Sequence, residues 1–208
     1  MLRLNWRRPA RRGFLPTIRA DLDSMAELKK APVPSLRGYV DVLTLPGTWA
    51  VLLFRAANAL HRLGIRPVSR LVYFANVVLF SCDIPPGTEI GEGLALPHPV
   101  GVTIAPDARV GRRARVFSGA LIGGGAVEDD SQDGFPTIGD DCWIFAYARV
   151  FGRINIGDRA VVSTSSLVVR DVPRNTVVAG VPARVVRHRD DRSVLGEAGG
   201  TRAAGGEG

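Results

Sequence analysis

His98 and Asp83 are the residues of this chain best suited to acid–base chemistry. His98 is the one histidine inside a long repetitive stretch, whereas His61 lies ahead of it and His188 at its exit. A neutral imidazole accepts a proton near neutral pH. A carboxylate beside it fixes the tautomer and stabilises the imidazolium that forms. Asp83, one residue before the apolar Ile84, offers that carboxylate. Both residues also have a plainer reading, His98 as a structural histidine and Asp83 as a cap or turn residue where the repeats begin.

The repeats must position this pair. Ile84, Ile90 and Leu96 step by six, then Ile104, Val110, Val116 and Ile122, then Ile138, Ile144, Val150, Ile156, Val162 and Val168. Neither a helix nor an ordinary strand keeps step with six for so long. A coil of short flat strands does, with three hexads to each turn of a triangular prism and the branched residues stacked inside it. Gly91, Gly111, Gly123, Gly139 and Gly157 each follow a ladder residue. They are expected at corners that need unusual backbone angles. The expected fold is mainly β, a parallel β-helix of hexapeptide repeats behind a short helical segment.

The ladder breaks twice. Leu96 to Ile104 is eight residues, so two extra bulge out around Pro97-His98-Pro99-Val100-Gly101. Ile122 to Ile138 is sixteen, either two hexads plus four residues or an excursion from the prism. Loops on a rigid scaffold tend to carry function, so both breaks are candidate site positions.

The rest of the chain divides simply. Residues 1–37 hold nine Lys or Arg against three acids, which accounts for +6 of the net +7. They read as a basic, flexible arm, in which 21–30 can form a short helix. Basicity confined there is poor support for a nucleic-acid-binding domain. Residues 38–82 read as a helical lead-in, with Trp49, Leu52, Leu53, Ala56, Leu60 and Leu63 on one apolar face and a second helix over 68–80. The coil occupies 83–188, and the Gly/Ala-rich residues 189–208 read as a disordered tail. Cys82 and Cys142 form no disulfide or zinc pattern. No secretory signal or apolar stretch of spanning length is visible, so the expectation is a cytoplasmic protein without integral membrane association.

Asp83-Ile84-Pro85-Pro86-Gly87, Gly93-Leu94 with His98, Gly101-Val102, Ile122-Gly123-Gly124 and Ala179-Gly180-Val181-Pro182-Ala183-Arg184-Val185-Val186 together resemble the serine acetyltransferases. Leu45-Pro46-Gly47 and Phe54-Arg55 extend the resemblance upstream, to cover about residues 45–187. It implies a left-handed β-helix, a homotrimer with sites between subunits, acetyl-CoA as acyl donor and no metal. His98 matches the general base and Asp83 the carboxylate that orients it. Backbone N–H groups near Gly123 and Gly124 would stabilise the oxyanion. Ala146 and Thr164 match positions flanking pantetheine. Gly180, Pro182 and Arg184 match the segment that closes over the CoA end, where Arg184 meets a phosphate or is simply a solvated exit arginine.

The departures concern the acceptor. Pro97 stands where serine-specific members carry Asp before the histidine, and Gly134-Phe135 where they carry Arg-His. Those charges grip the amino and carboxylate groups of free serine, so free serine is expected to be a poor acceptor. Phe135 would instead stack on a sugar ring, cover an apolar acceptor or anchor its loop. Similar short-headed relatives act on sugar hydroxyls, so the resemblance implies a sugar hydroxyl as the preferred acceptor, with a natural product or carrier-bound intermediate next. Serine O-acetylation proper and a non-catalytic trimeric scaffold are the alternatives. Phe145 and Tyr147, bulkier than the family's usual glycines, bear on the donor groove and favour the scaffold, whereas retention of His98 and Asp83 favours the enzyme. A carbonic anhydrase on this coil would need several histidines. The chain ends without the isoleucine by which the family docks on its sulfhydrylase, so that complex is not expected.

Overall fold

The computed structural model describes residues 13–30, 35–124 and 134–189. The first residues of the expected arm, most of the second ladder break and the tail beyond Arg189 lie outside them. Four helices lead in: α1 (Phe14–Leu28), α2 (Leu36–Leu43), α3 (Pro46–Arg62) and α4 (Arg66–Phe80). Ser35 caps α2 by accepting from the Gly38 N–H at 3.0 Å. Both α3 and α4 carry proline in their first turn, where its missing N–H costs nothing. Ser81, in the left-handed region at φ 50°, ends α4 and turns the chain into the coil.

The residues expected to be a flexible arm are in part tied down. Asp21 on α1 is 2% exposed and accepts from the Arg55 guanidinium at 2.8 and 3.1 Å and from the Gly93 and Leu94 N–H groups at 2.8 Å. Arg55 spends its remaining donors on the Ile90 and Gly91 carbonyls. Burial pushes the Asp21 carboxyl above its ordinary value, and these donors pull it back. Glu27 at the end of α1 adds an ion pair to Arg115 at 2.7 Å. Of the charges at 19–27, Asp21 is a buried fastening, while Arg19 and Glu27 stay exposed and Asp23 half-buried.

The lead-in helices also bury a different face from the one the apolar spacing suggests. On α3 the buried residues are Gly47, Thr48, Ala50, Val51, Phe54, Arg55, Ala57 and Asn58, while Trp49 and Leu63 are exposed. Gly47 decides this orientation: a Cβ there would run into the Leu96 carbonyl, so only glycine lets α3 touch the coil at that point. On α4, Ser69 and Asn76 face inward and donate to the Ala57 and Ala50 carbonyls, leaving Leu71, Phe74 and Val78 outside.

The coil follows the ladder. One sheet is β1 (Glu89–Ile90), β3 (Arg109–Val110), β6 (Thr137–Ile138) and β9 (Asn155–Ile156). The second is β2 (Thr103–Ile104), β5 (Leu121–Gly123), β8 (Arg149–Phe151) and β11 (Leu167–Val168). The third is β4 (Arg115–Val116), β7 (Trp143–Ile144), β10 (Val161–Val162), β12 (Thr176–Gly180) and β13 (Ala183–His188). All pairs are parallel except the closing β12–β13 hairpin. Every ladder residue from Ile84 to Val168 is no more than 7% exposed. A second column of mostly small residues lies two positions earlier: Ala108, Ala114, Ala120, Ala148 and Ala160 are all buried, and Cys82 and Cys142 occupy the same slot.

The registers settle the two breaks. Thr103 pairs with Leu121, a regular turn of eighteen residues. Glu89 pairs with Arg109, so the His98 turn carries two more. Leu121 pairs with Arg149, so the turn containing the second break carries ten more, too few for a further turn of the coil. The glycines after ladder residues serve another purpose than the one expected. Left-handed backbone falls three positions before the ladder residue, at Gly119, Tyr147 and Ser165 among others. At Gly111 an added Cβ would instead lie 2.6 Å from the Gly139 carbonyl of the next turn, so close stacking is what demands glycine there.

Asp21→Ala should cost about 3–5 kcal/mol, because it strands a buried guanidinium, whereas Arg19→Ala, which removes an exposed ion pair at 3.9 Å, should cost less than about 1 kcal/mol. Urea titration of both variants checks this.

Candidate functional site

One edge of the prism gathers most of the candidate residues. It begins at Ser81, whose carbonyl accepts from the Gly101 N–H at 2.8 Å. Below it the Gly119 N–H donates to Val100, the Tyr147 N–H to Ser118 and the Ser165 N–H to Ala146, at 2.9, 2.8 and 2.9 Å. Ser81, Gly101, Gly119, Tyr147 and Ser165 all have positive φ, so this edge is a stack of left-handed corners. Asp83 stands at its head, the His98 loop in its first full turn, and Ala146 and Thr164 on successive turns below. The hairpin reaches the same edge at its foot, where the Gly180 N–H lies 3.3 Å from Ser166 Oγ. Gly180, Pro182 and Arg184 are exposed there.

At the head, the loop is held by its backbone and leaves the imidazole outside. Pro99 is buried and its carbonyl accepts from Val102 N–H at 3.1 Å, while His98 is exposed and Pro97 half-buried. Asp83 is locked into the coil by its own backbone, donating to the Val102 carbonyl and accepting from the Ile104 N–H. Its carboxylate Oδ1 accepts from the Tyr73 hydroxyl at 2.6 Å. Tyr73, on α4, is a site neighbour that sequence reasoning missed, since ten positions and a helix end separate it from Asp83. Burial and the adjoining carboxylate push its phenol up to about 12. No hydrogen bond joins Asp83 to His98 among the described residues.

Large side chains crowd the edge further down. Phe145 stacks on Phe117 at 4.9 Å between centroids, and Trp143 lies beside Phe145 at 5.7 Å. Arg115 caps the Trp143 ring at 4.9 Å. Tyr147 lies over Gly119, where a Cβ would collide with its ring. These residues line the flank of the edge and leave Thr164 and Ser165 exposed at its crest, with Ala146 half-buried.

The second break lies at the next edge. Gly123 ends β5, and the Gly124 position faces the ring of Phe135, 2.8 Å from where a Cβ would stand. Phe135 thus lies against Gly124 across the second break while remaining 37% exposed. Within one chain, Phe135 and His98 therefore sit on different edges.

The cysteines take no part. Burial drives both thiols up to about 12, with the Asp83 charge adding to the effect at Cys82. Among the described residues no three His, Cys, Asp or Glu side chains are grouped to hold a metal ion.

No protein-family model matches the chain. The serine acetyltransferase of Bacillus subtilis (strain 168) is 32% identical over 174 residues, 83% of this chain and 77% of that protein. The chain belongs to the serine acetyltransferase family. Serine acetyltransferase 4 of Arabidopsis thaliana is 32% identical over 87% of this chain, which spans about half of that longer relative, 50%. The serine acetyltransferase of Brucella abortus strain S19 in complex with coenzyme A superposes with a TM-score of 0.73 at 27% identity, covering 85% of this chain and 69% of that one. That of Neisseria gonorrhoeae in complex with serine gives 0.72 at 28%, covering 84% and 69%. The family also fixes the hand of the coil, a left-handed β-helix, against the usual right-handed preference of parallel crossovers.

A thiol reagent such as Ellman's should find no reactive cysteine in the native protein at neutral pH and two after denaturation, because Cys82 and Cys142 are buried and protonated.

Proposed function

We propose that this chain is an acetyl-CoA-dependent O-acetyltransferase of the serine type, with His98 as general base. The single observation that carries it is the prism edge, which strings Asp83, the His98 loop, Ala146, Thr164 and the Gly180 hairpin in the order that the donor would be met. The acetyl thioester would lie at the head beside His98 and the pantetheine arm along Ala146 and Thr164. Arg184, exposed in the hairpin at the foot, would meet the phosphates.

His98 takes the proton of the acceptor hydroxyl as its oxygen attacks the thioester carbonyl. Asp83 holds the imidazole and stabilises the imidazolium. The carbonyl oxygen becomes an oxyanion, bound by backbone N–H groups near Gly123 and Gly124. As it collapses, the C–S bond breaks and the coenzyme A sulfur takes the proton from the imidazolium, leaving an ester. Phe135, Gly123 and Gly124 belong to the edge next to that of His98, so a site using both needs a second copy of the chain. That requirement supports a homotrimer with its sites between subunits.

The acceptor expected from Pro97 and Phe135 was a sugar. The relatives favour serine, since those compared are serine acetyltransferases and one structure was solved with serine. Serine is therefore the first reading and a sugar hydroxyl the second, carried only by the missing charges at 97 and 134–135. A scaffold without activity is disfavoured by the exposed crest at Thr164 and Ser165.

Coenzyme A release from acetyl-CoA should be measured with serine, homoserine and hydroxyl-bearing sugars. Turnover on serine is expected, with His98→Ala lowering kcat/KM by about a hundredfold to ten-thousandfold. Turnover on a sugar alone would select the second reading. Silence with every acceptor and no acetyl-CoA binding would leave the scaffold.

A further inference from the structure

We propose that Tyr73 is a positioning residue of this site, its hydroxyl fixing the Asp83 carboxylate that orients His98. The inference rests on the reading of Asp83 and His98 as the acid–base pair. The Tyr73 hydroxyl donates to Asp83 Oδ1 at 2.6 Å, both groups being partly buried. With its backbone held, the Asp83 side chain still rotates about its Cα–Cβ and Cβ–Cγ bonds. Engaging Oδ1 from one side stops that rotation and leaves Oδ2 for the imidazole.

Tyr73 can do this because α4 does not slide. Ser69 and Asn76, one turn to either side on the same face, are anchored to the Ala57 and Ala50 carbonyls of α3. The α4 end is held too, since the Ser81 carbonyl accepts from Gly101 in the His98 loop. The same helix therefore touches both members of the pair, the carboxylate through a side chain and the imidazole's loop through the backbone.

The charge environment makes the effect readable. The groups whose ionisation Asp83 perturbs are the Tyr73 phenol on α4 and the Cys82 thiol at the head of the coil, both pushed up to about 12. Neither changes charge near neutral pH, so a limb of the pH profile in that range does not come from either of them. The donated hydrogen bond draws negative charge out of the carboxylate. Removing it leaves Asp83 a stronger partner for the imidazolium, and the base then stays protonated to higher pH.

The test is the pH profile of kcat/KM for acetyl transfer by the full chain. Tyr73→Phe should lower the plateau about tenfold, the size of one hydrogen bond to a charged group. It should also move the acid limb to higher pH, with KM for acetyl-CoA unchanged. A profile superimposable on the parent's, or a lower plateau with no displacement of the limb, would overturn the proposal. Should Tyr73→Phe not fold, fluorotyrosine incorporation replaces it, because the chain holds only Tyr39, Tyr73 and Tyr147. The more acidic phenol should move the acid limb to lower pH, and an unmoved limb would overturn the inference equally. His98→Ala runs alongside. Full activity in that variant would sink the site reading itself, whereas its loss beside an unaltered Tyr73→Phe profile would sink only the role of Tyr73.

Discussion

The structure depends on the backbone hydrogen bond from each turn of the coil to the next. Through it, the position of every residue is inherited from the residue one turn earlier. Ser81, Gly101, Gly119, Tyr147 and Ser165 line up because each corner N–H finds the carbonyl above it. Side chains at those corners need no interaction of their own to stay in file. That is why the loop of His98 can be exposed and still well placed, with the prism beneath it setting its base.

A coil of this kind has an open first turn, and the helical lead-in closes it. The closure is polar as well as apolar. Arg55 and Asp21 form a buried pair between α3, α1 and the turn at residues 90–94, with Arg55 making four hydrogen bonds and Asp21 accepting four. Buried charge is worth little as raw stability but tolerates few arrangements. Here it sets how α1 and α3 meet the coil, while α4, packed on α3, brings Tyr73 to Asp83. The head of the candidate site is thus assembled by helices that contribute none of the expected catalytic groups.

The six-residue period made the coil legible, and both of its breaks mark real departures, with lengths that the strand registers resolve. It said less about the helices. On α3 the apolar spacing suggested a core face, yet Trp49 and, just past the helix, Leu63 are exposed while Arg55 and Asn58 are buried, and α4 turns Ser69 and Asn76 inward. Hydrophobic spacing fails where polar residues are buried with partners, because the partner lies far away in sequence. The Asp21 contact spans 34 residues to Arg55 and 72 to Gly93. Tyr73 was missed for a similar reason, as its partnership with Asp83 depends on how α4 ends. His98 and Asp83 were singled out by residue type and by the ladder break, Ala146 and Thr164 by resemblance, and the edge they share emerges only once the corners are stacked.

The closing hairpin has a consequence for how such a coil behaves among other molecules. A parallel stack of strands is, in principle, a template without end, since its last turn offers the same unpaired groups that its first turn would accept. At β12 the chain reverses and lays β13 antiparallel along the growing face, with Arg184 and Arg187 exposed on it. On that face the repeat is capped by a strand of the wrong direction and the wrong charge to be copied. A sequence that otherwise resembles a fibre's is thereby given a last page.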